Sequence, residues 1–196
     1  NDRMRLGFGI SLGFDQYTID ATQIKLDQSD DPALQNYRGS AYEFNSKFGV
    51  YFYGDNYYAG ISIPQLVPDK INIFESATNT AKIEEHYIIN GGYKFDVGED
   101  FKIEPSLLMR WKSPAPVQFD ISVWAYYKEM IWLGVTYRTD DAISFGIGFS
   151  YNNILMIGYA YDYTTSYLSN YTSGSHEIML GYKFKSSAPK EIPPLL

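Results

Sequence analysis

The chain has 196 residues, with 16 Lys and Arg against 23 Asp and Glu, a formal net charge of −7, and no cysteine. Those figures exclude a disulfide framework, a Cys-type zinc site and a thiol nucleophile, and an acidic chain without a basic run does not fit nucleic-acid binding. With 19 Tyr, 12 Phe and 3 Trp the chain is far too aromatic for disorder, and its wealth of Tyr, Phe and Gly favours strands.

The first residues, Asn1-Asp2-Arg3-Met4-Arg5, lead straight into an alternating pattern, so no signal peptide is expected in this stretch. Leu6, Phe8, Ile10, Leu12 and Phe14 alternate with glycine and polar residues, which is the period of a strand. The same period predicts strands over 4–15, 43–53, 57–64, 86–97, 101–112, 117–127, 130–138, 142–151, 154–164 and 175–184. Pro105 falls inside the fifth of these and predicts a bulge or a weak boundary there. No segment reads as a helix, and no run of about 18 apolar residues exists, so a transmembrane helix is not expected. Spanning strands leave no such mark on the hydropathy profile.

Hairpin residues fill the short connections Gly54-Asp55-Asn56, Gly98-Glu99-Asp100, Lys128-Glu129 and Asn152-Asn153. The intervening connections, 20–42, 65–85, 113–116, 139–141 and 165–174, are mostly longer. Tight turns at one end and longer loops at the other are the layout of an outer-membrane barrel, with the turns and both termini on the periplasmic side. Residues 185–196 hold Pro189, Pro193 and Pro194 and read as a short tail after a barrel spanning 1–184.

Taking the more apolar parity of each strand, not one position carries a charge. The opposite parity decides between water and lipid. It carries small residues such as Ser144, Gly146, Gly148, Gly158 and Ala160, and charges of both signs: Lys94, Asp96, Lys102, Glu104, Arg110, Asp120, Arg138 and Asp162. A soluble surface shows Lys and Glu in quantity, whereas small residues and pairable charges suit the interior of a closed barrel. Tyr51, Tyr53, Tyr57, Tyr87, Trp111, Tyr127, Trp132, Tyr137, Tyr151 and Tyr163 lie near strand ends, where aromatic girdles are expected. A lipocalin-like soluble barrel or sandwich is the alternative.

Several stretches then resemble the PorP/SprF family of outer-membrane proteins of Bacteroidetes. The most specific is Ser173-Gly174-Ser175-His176-Glu177-Ile178-Met179-Leu180-Gly181-Tyr182-Lys183-Phe184. Ile157-Gly158-Tyr159-Ala160-Tyr161-Asp162-Tyr163 precedes it, and Trp132-Leu133-Gly134-Val135-Thr136-Tyr137-Arg138 is similar to a family hairpin. Tyr51 to Asp55, Tyr58-Ala59-Gly60-Ile61-Ser62-Ile63-Pro64 and Asp30-Asp31-Pro32-Ala33 also match. The resemblance implies an all-β, antiparallel, up-and-down transmembrane barrel, with about ten strands in this chain and about fourteen in a full-length member. Members usually carry a further N-terminal stretch, so the resemblance implies a short member or a C-terminal portion.

The resemblance also implies a non-enzymatic role in the type IX secretion system. There the protein would help to secrete or anchor a large surface protein, such as a gliding adhesin bearing a C-terminal secretion signal. Implied partners are outer-membrane lipid, the secreted client and other secretion components, with no nucleic acid. Tyr167 and Tyr171, in the last long loop, are the candidate partner contacts, since Tyr is enriched at interfaces; membership of the aromatic girdle is their alternative role. A transport channel, porin-like or for hydrophobic substrates, is the competing function. It calls for an arginine ladder facing an acidic ring, and the sequence offers Arg110 and Arg138 against Asp120 and Asp162.

Candidate chemistry is sparse. His86 and His176 are the two histidines, without His-x-x-x-His spacing. Ser175, His176 and Asp162 can be written as a triad but lack a nucleophile elbow. The acidic run Asp27-Gln28-Ser29-Asp30-Asp31 has oxygen ligands but neither the glycine nor the terminal Glu of an EF-hand loop. No catalytic, cofactor or metal residue is assigned.

Overall fold

The structure, a computed structural model, describes residues 4–18, 20, 39–67, 70–71, 81–82, 85–152 and 154–184. The acidic run 27–31, most of the connections 20–42 and 65–85, and the tail 185–196 lie outside the described residues.

Strand follows strand along the chain: β1 (Arg5–Thr18), β2 (Ser40–Tyr53), β3 (Tyr57–Ile63), the short pair β4 (Lys70–Ile71) and β5 (Ala81–Lys82), β6 (His86–Tyr93), β7 (Phe95–Val97), β8 (Phe101–Lys112), β9 (Gln118–Tyr127), β10 (Ile131–Arg138), β11 (Ala142–Tyr151), β12 (Leu155–Thr164) and β13 (Ser175–Tyr182). All but β4 and β5 form one 11-stranded antiparallel sheet in which sequence neighbours are spatial neighbours. That is the expected meander. Among the described residues β1 pairs with β2 alone and β13 with β12 alone, so these two strands are the edges of the sheet. No helix among the described residues is long and apolar enough to cross a membrane.

The register tests the parity argument directly. Leu6 stands opposite Phe52, Phe8 opposite Val50, Ile61 opposite Ile89, Leu133 opposite Ile147, and Ile157 opposite Leu180. A slip of one residue at any junction would send every later strand to the wrong face. None occurs, so the apolar parities of all ten expected strands share one face. That face is bare: Phe8 is 70% exposed and Ile147 55%. The opposite face is sheltered, with Glu104, Asp120 and Ser150 buried on it. No second layer of strands covers it among the described residues.

The outer face carries aromatic contacts toward both strand ends. Near the short turns these are Phe52 with Tyr57, Tyr93 with Phe95, and Phe101 with Tyr127; near the long connections, Phe14 with Phe44 and Tyr87 with Trp111. Three of the residues expected in the girdles are placed otherwise. Tyr51, Tyr53 and Trp132 are of the inner parity; the Tyr51 ring packs over Gly60, and Trp132 over Gly148 and Gly158. Nearness to a strand end says nothing about face, and parity decides.

Pro105 does weaken a boundary, but without a bulge. β8 runs unbroken through it, paired with β9 at Val123. On the other side the ladder is interrupted at Lys94, between Gly92↔Ser106 and Phe95↔Ile103. Two residues lie between the flanking pairs on each strand, so no residue is inserted. Proline has no N–H to donate, and the missing bond is what divides β6 from β7. The turn between β9 and β10 is also unusual: Lys128 and Glu129 both have positive φ, 51° and 57°, and Met130 N–H closes the turn on Tyr127 O at 3.0 Å. This is the primed geometry that suits hairpin twist, here adopted without glycine.

Candidate functional site

Three clusters stand on the sheltered face and one on a connection. The first is a pair of indoles on a floor of glycine. Gly134 and Gly146 are cross-strand partners, as are Gly148 and Gly158. A Cβ on Gly134 would meet the Trp124 ring at 2.1 Å, and one on Gly148 the Trp132 ring at 1.9 Å. Trp124 and Trp132 touch edge to face, with centroids 5.6 Å apart. Each indole lies flat across two strands because the glycines leave it room, and it covers backbone that would otherwise be bare. The glycines were visible in sequence as inner-parity residues; their use as a seat for Trp124 and Trp132 was not.

The second cluster lies toward the tight turns. Glu104, 8% exposed, accepts a hydrogen bond from Tyr58 Oη at 3.3 Å, and Lys94 Nζ stands 3.2 Å from its other oxygen. Lys94 also sits over the Tyr126 ring at 4.8 Å, and Tyr51 stacks on Tyr58 at 6.0 Å. Arg5, Tyr53, Asp55 and Asn56 join Lys94 and Glu104 around a cavity of about 260 Å³. Beside it, in the turn after β9, the Lys102 ammonium bonds the Glu129 carboxylate and holds its pKa below the usual range. Attraction to Asp100 raises that of Lys128.

The third cluster is ionic and lies toward the long connections. Asp120 is ion-paired with Arg110 and, at 3.4 Å, with Arg138. Arg138 reaches Asp141 at 3.2 Å and Asp162 at 4.0 Å. The sequence offered two arginines against two aspartates as facing rows of a constriction. The structure instead gathers them side by side along the sheet, each charge beside its partner. Arg138→Gln is expected to destabilise the fold by about 1–3 kcal/mol, because buried Asp120 loses a partner. Arg138→Lys recovers only part of this, since an ammonium cannot serve three carboxylates as a guanidinium fork does. Urea unfolding in detergent micelles measures both.

The fourth cluster is the connection 165–174. Thr165 and Ser166 N–H groups donate to Asp141 O at 2.8 and 3.2 Å. A 3-10 turn, Tyr167–Asn170, follows, and the Tyr171 N–H donates to Leu168 O at 2.9 Å. Tyr161 Oη donates to Ser173 O at 2.6 Å. Gly174, with φ of +104°, returns the chain to β13 so close to Asp162 O that a Cβ would lie 2.1 Å from it. The loop is therefore tied at both ends and in its middle. What it presents is Tyr167 at 92% exposure, Tyr171 at 91%, and Leu168 between them at 62%. Both tyrosines lie off the strands.

The triad reading fails on geometry. Ser175 pairs with Asp162, but His176 pairs with Tyr161 on the opposite face of the sheet, and its Nδ1 shares a hydrogen bond with Tyr159 Oη at 2.7 Å. His86 Nδ1 is 2.9 Å from Gln65 Oε1. Both histidines serve loop and strand hydrogen bonding.

A family model described as type IX secretion system membrane protein PorP/SprF matches residues 1–182. Among curated proteins no match is found.

Proposed function

The chain belongs to the PorP/SprF family of type IX secretion system membrane proteins, and from that premise we propose that it is an outer-membrane barrel whose loops hold a secreted client at the cell surface. The family is one of secretion-system membrane proteins and not an enzyme family. In this reading residues 1–184 form the membrane unit and 185–196 a tail. The bare apolar face meets lipid, the aromatic contacts toward each strand end lie at the two interfaces, and the tight turns and both termini lie in the periplasm. In lipid an open edge leaves backbone groups unpaired at a cost of several kcal/mol each, so β1 and β13 are covered or joined in the working protein.

The observation that carries the docking role is the tied loop 165–174. A partner that binds Tyr167, Leu168 and Tyr171 finds them already held, so little ordering entropy opposes binding. The client is a large surface protein carrying a C-terminal secretion signal, and other secretion components act with it. The inner charges, paired locally along the sheet, favour this reading over a conducting channel.

Replacing Tyr167 and Tyr171 together with Ala is expected to change stability by no more than about 0.5 kcal/mol, as for most surface substitutions, while surface display of the client falls. Display is measured by antibody labelling of whole cells, and folding by heat-modifiable migration on gels. Normal display in the double variant sinks the docking role of this loop. Large, stable open currents in planar bilayers would favour the channel instead.

A further inference from the structure

Glu43 is 2% exposed, and neither carboxylate oxygen has a hydrogen-bond partner among the described residues. It lies on the sheltered parity of β2, directly opposite Asp15 of β1. Like charges placed opposite each other on one face of a sheet repel, and a buried carboxylate without a partner is costly. Two pairs further along, Asn45 donates its Nδ2 to Asp15 Oδ2 at 2.7 Å, which leaves Asn45 Oδ1 buried and without a partner among the described residues. Gly13 faces Asn45, and a Cβ there would meet nothing within 4 Å. The Tyr17 hydroxyl lies beside Glu43 but makes no hydrogen bond of good geometry to it. Lys47 stands four residues along β2, exposed, and forms no ion pair with either carboxylate among the described residues.

We propose that Asp15, Glu43 and Asn45 form a calcium site on the sheltered face where β1 and β2 run toward their long connection. Glu43 and Asn45 on β2 and Asp15 on β1 stand on one face of the strand pair, and a Cβ on Gly13, beside them on that face, would meet nothing within 4 Å. All three side chains offer oxygen donors, which suits a hard cation, and Ca²⁺ accepts irregular sets completed by water where Mg²⁺ demands an octahedron. The donors number two carboxylates and one amide; clusters of three or more acidic, His or Cys ligands do not occur among the described residues. That donor count places the affinity in the weak class, roughly 10⁻⁴–10⁻³ M, typical of extracellular modules. The ion replaces the missing partner of Glu43 and fixes the β1–β2 pair where its long connection leaves the sheet.

The test uses the whole protein in detergent micelles. Thermal unfolding in Ca²⁺ is compared with unfolding in Mg²⁺ and in EDTA. With free Ca²⁺ about ten times above Kd, the folded state gains roughly tenfold in population, seen as a raised midpoint that Mg²⁺ does not reproduce. Glu43→Gln abolishes the rise, and Asp15→Asn weakens it. Tb³⁺ bound at the site is excited through Tyr17, so its luminescence falls in Tyr17→Phe and on adding Ca²⁺. Should Glu43→Gln fail to fold, Asp15→Asn, at an exposed position, carries the test through its weaker Tb³⁺ binding. Equal midpoints in Ca²⁺, Mg²⁺ and EDTA overturn the proposal. So does a Ca²⁺ effect that survives both substitutions, or an infrared carboxylic-acid band from Glu43 that persists at neutral pH in Ca²⁺, which would show a proton as the neutralising ion.

Discussion

Trp132→Ala is expected to lower the unfolding free energy by about 3 kcal/mol, the lower end of the range for removing a buried tryptophan, because this indole is only half-buried. The loss is in contact with backbone. Trp132 lies across β11 and β12, over Gly148 and Gly158, and its removal uncovers two strands at once. Gly148→Ala approaches the same contact from the other side. Its Cβ would stand 1.9 Å from the ring, and a flat indole cannot yield there by turning one terminal atom. Overpacking of this kind costs about 1–3 kcal/mol. The double variant, Trp132→Ala with Gly148→Ala, is expected to cost less than the sum of the two, with a coupling of about 0.5–3 kcal/mol. Equilibrium unfolding of the four proteins in lipid vesicles, followed by far-ultraviolet circular dichroism, closes the cycle. Strict additivity would show that the ring does not use the glycine.

Ile147→Lys is expected to cost about 2–4 kcal/mol in a bilayer, the cost of a lysine near the midplane of a lipid-facing strand. Ile147 lies midway along β11 on the exposed face, between Leu133 and Tyr159. Its control must be an inner-face substitution that meets nothing. From the sequence, Gly146→Ser looks mild; the structure overturns this, since a Cβ on Gly146 would stand 2.8 Å from Trp124. Gly9→Ser is the proper control, because a Cβ there has no neighbour within 4 Å. Vesicle unfolding separates the pair: a large loss for Ile147→Lys beside near-wild-type behaviour for Gly9→Ser. Equal behaviour would place the lipid on neither face.

Much of this fold was legible because a single physical constraint repeats along it. Each strand has one face that excludes charge, so alternation marks both the strand and its orientation. β8 and β11 have the bounds that the alternation predicts, and the other main strands lie within a few residues of theirs. β1 and β2 run further, to Thr18 and from Ser40. There the pairing continues through Tyr17↔Ala41 although the apolar alternation has faded. The short β4–β5 pair went unseen for want of length. What one strand at a time cannot reveal is contact between strands. Parity put Trp132 and Gly148 on the same face but could not seat one on the other. It put Glu43 and Asp15 on the inner face, yet their direct opposition depends on a register that spans the long connection between β1 and β2. Ser175, His176 and Asp162 show the reverse case: adjacency in sequence suggested a constellation that the pleat divides between two faces.

The ties that hold the connection 165–174 lie in its backbone, in the side chains of Tyr161, Asn170 and Thr172 and in Gly174, and none of them uses the side chains at 167, 168 or 171. Support and display are thus encoded by different residues. Substitution at the three tip positions changes the surface offered to a partner without disturbing the bonds that shape the loop. Such a loop can diversify freely among descendants that share one barrel, in the way a key blank accepts many cuts.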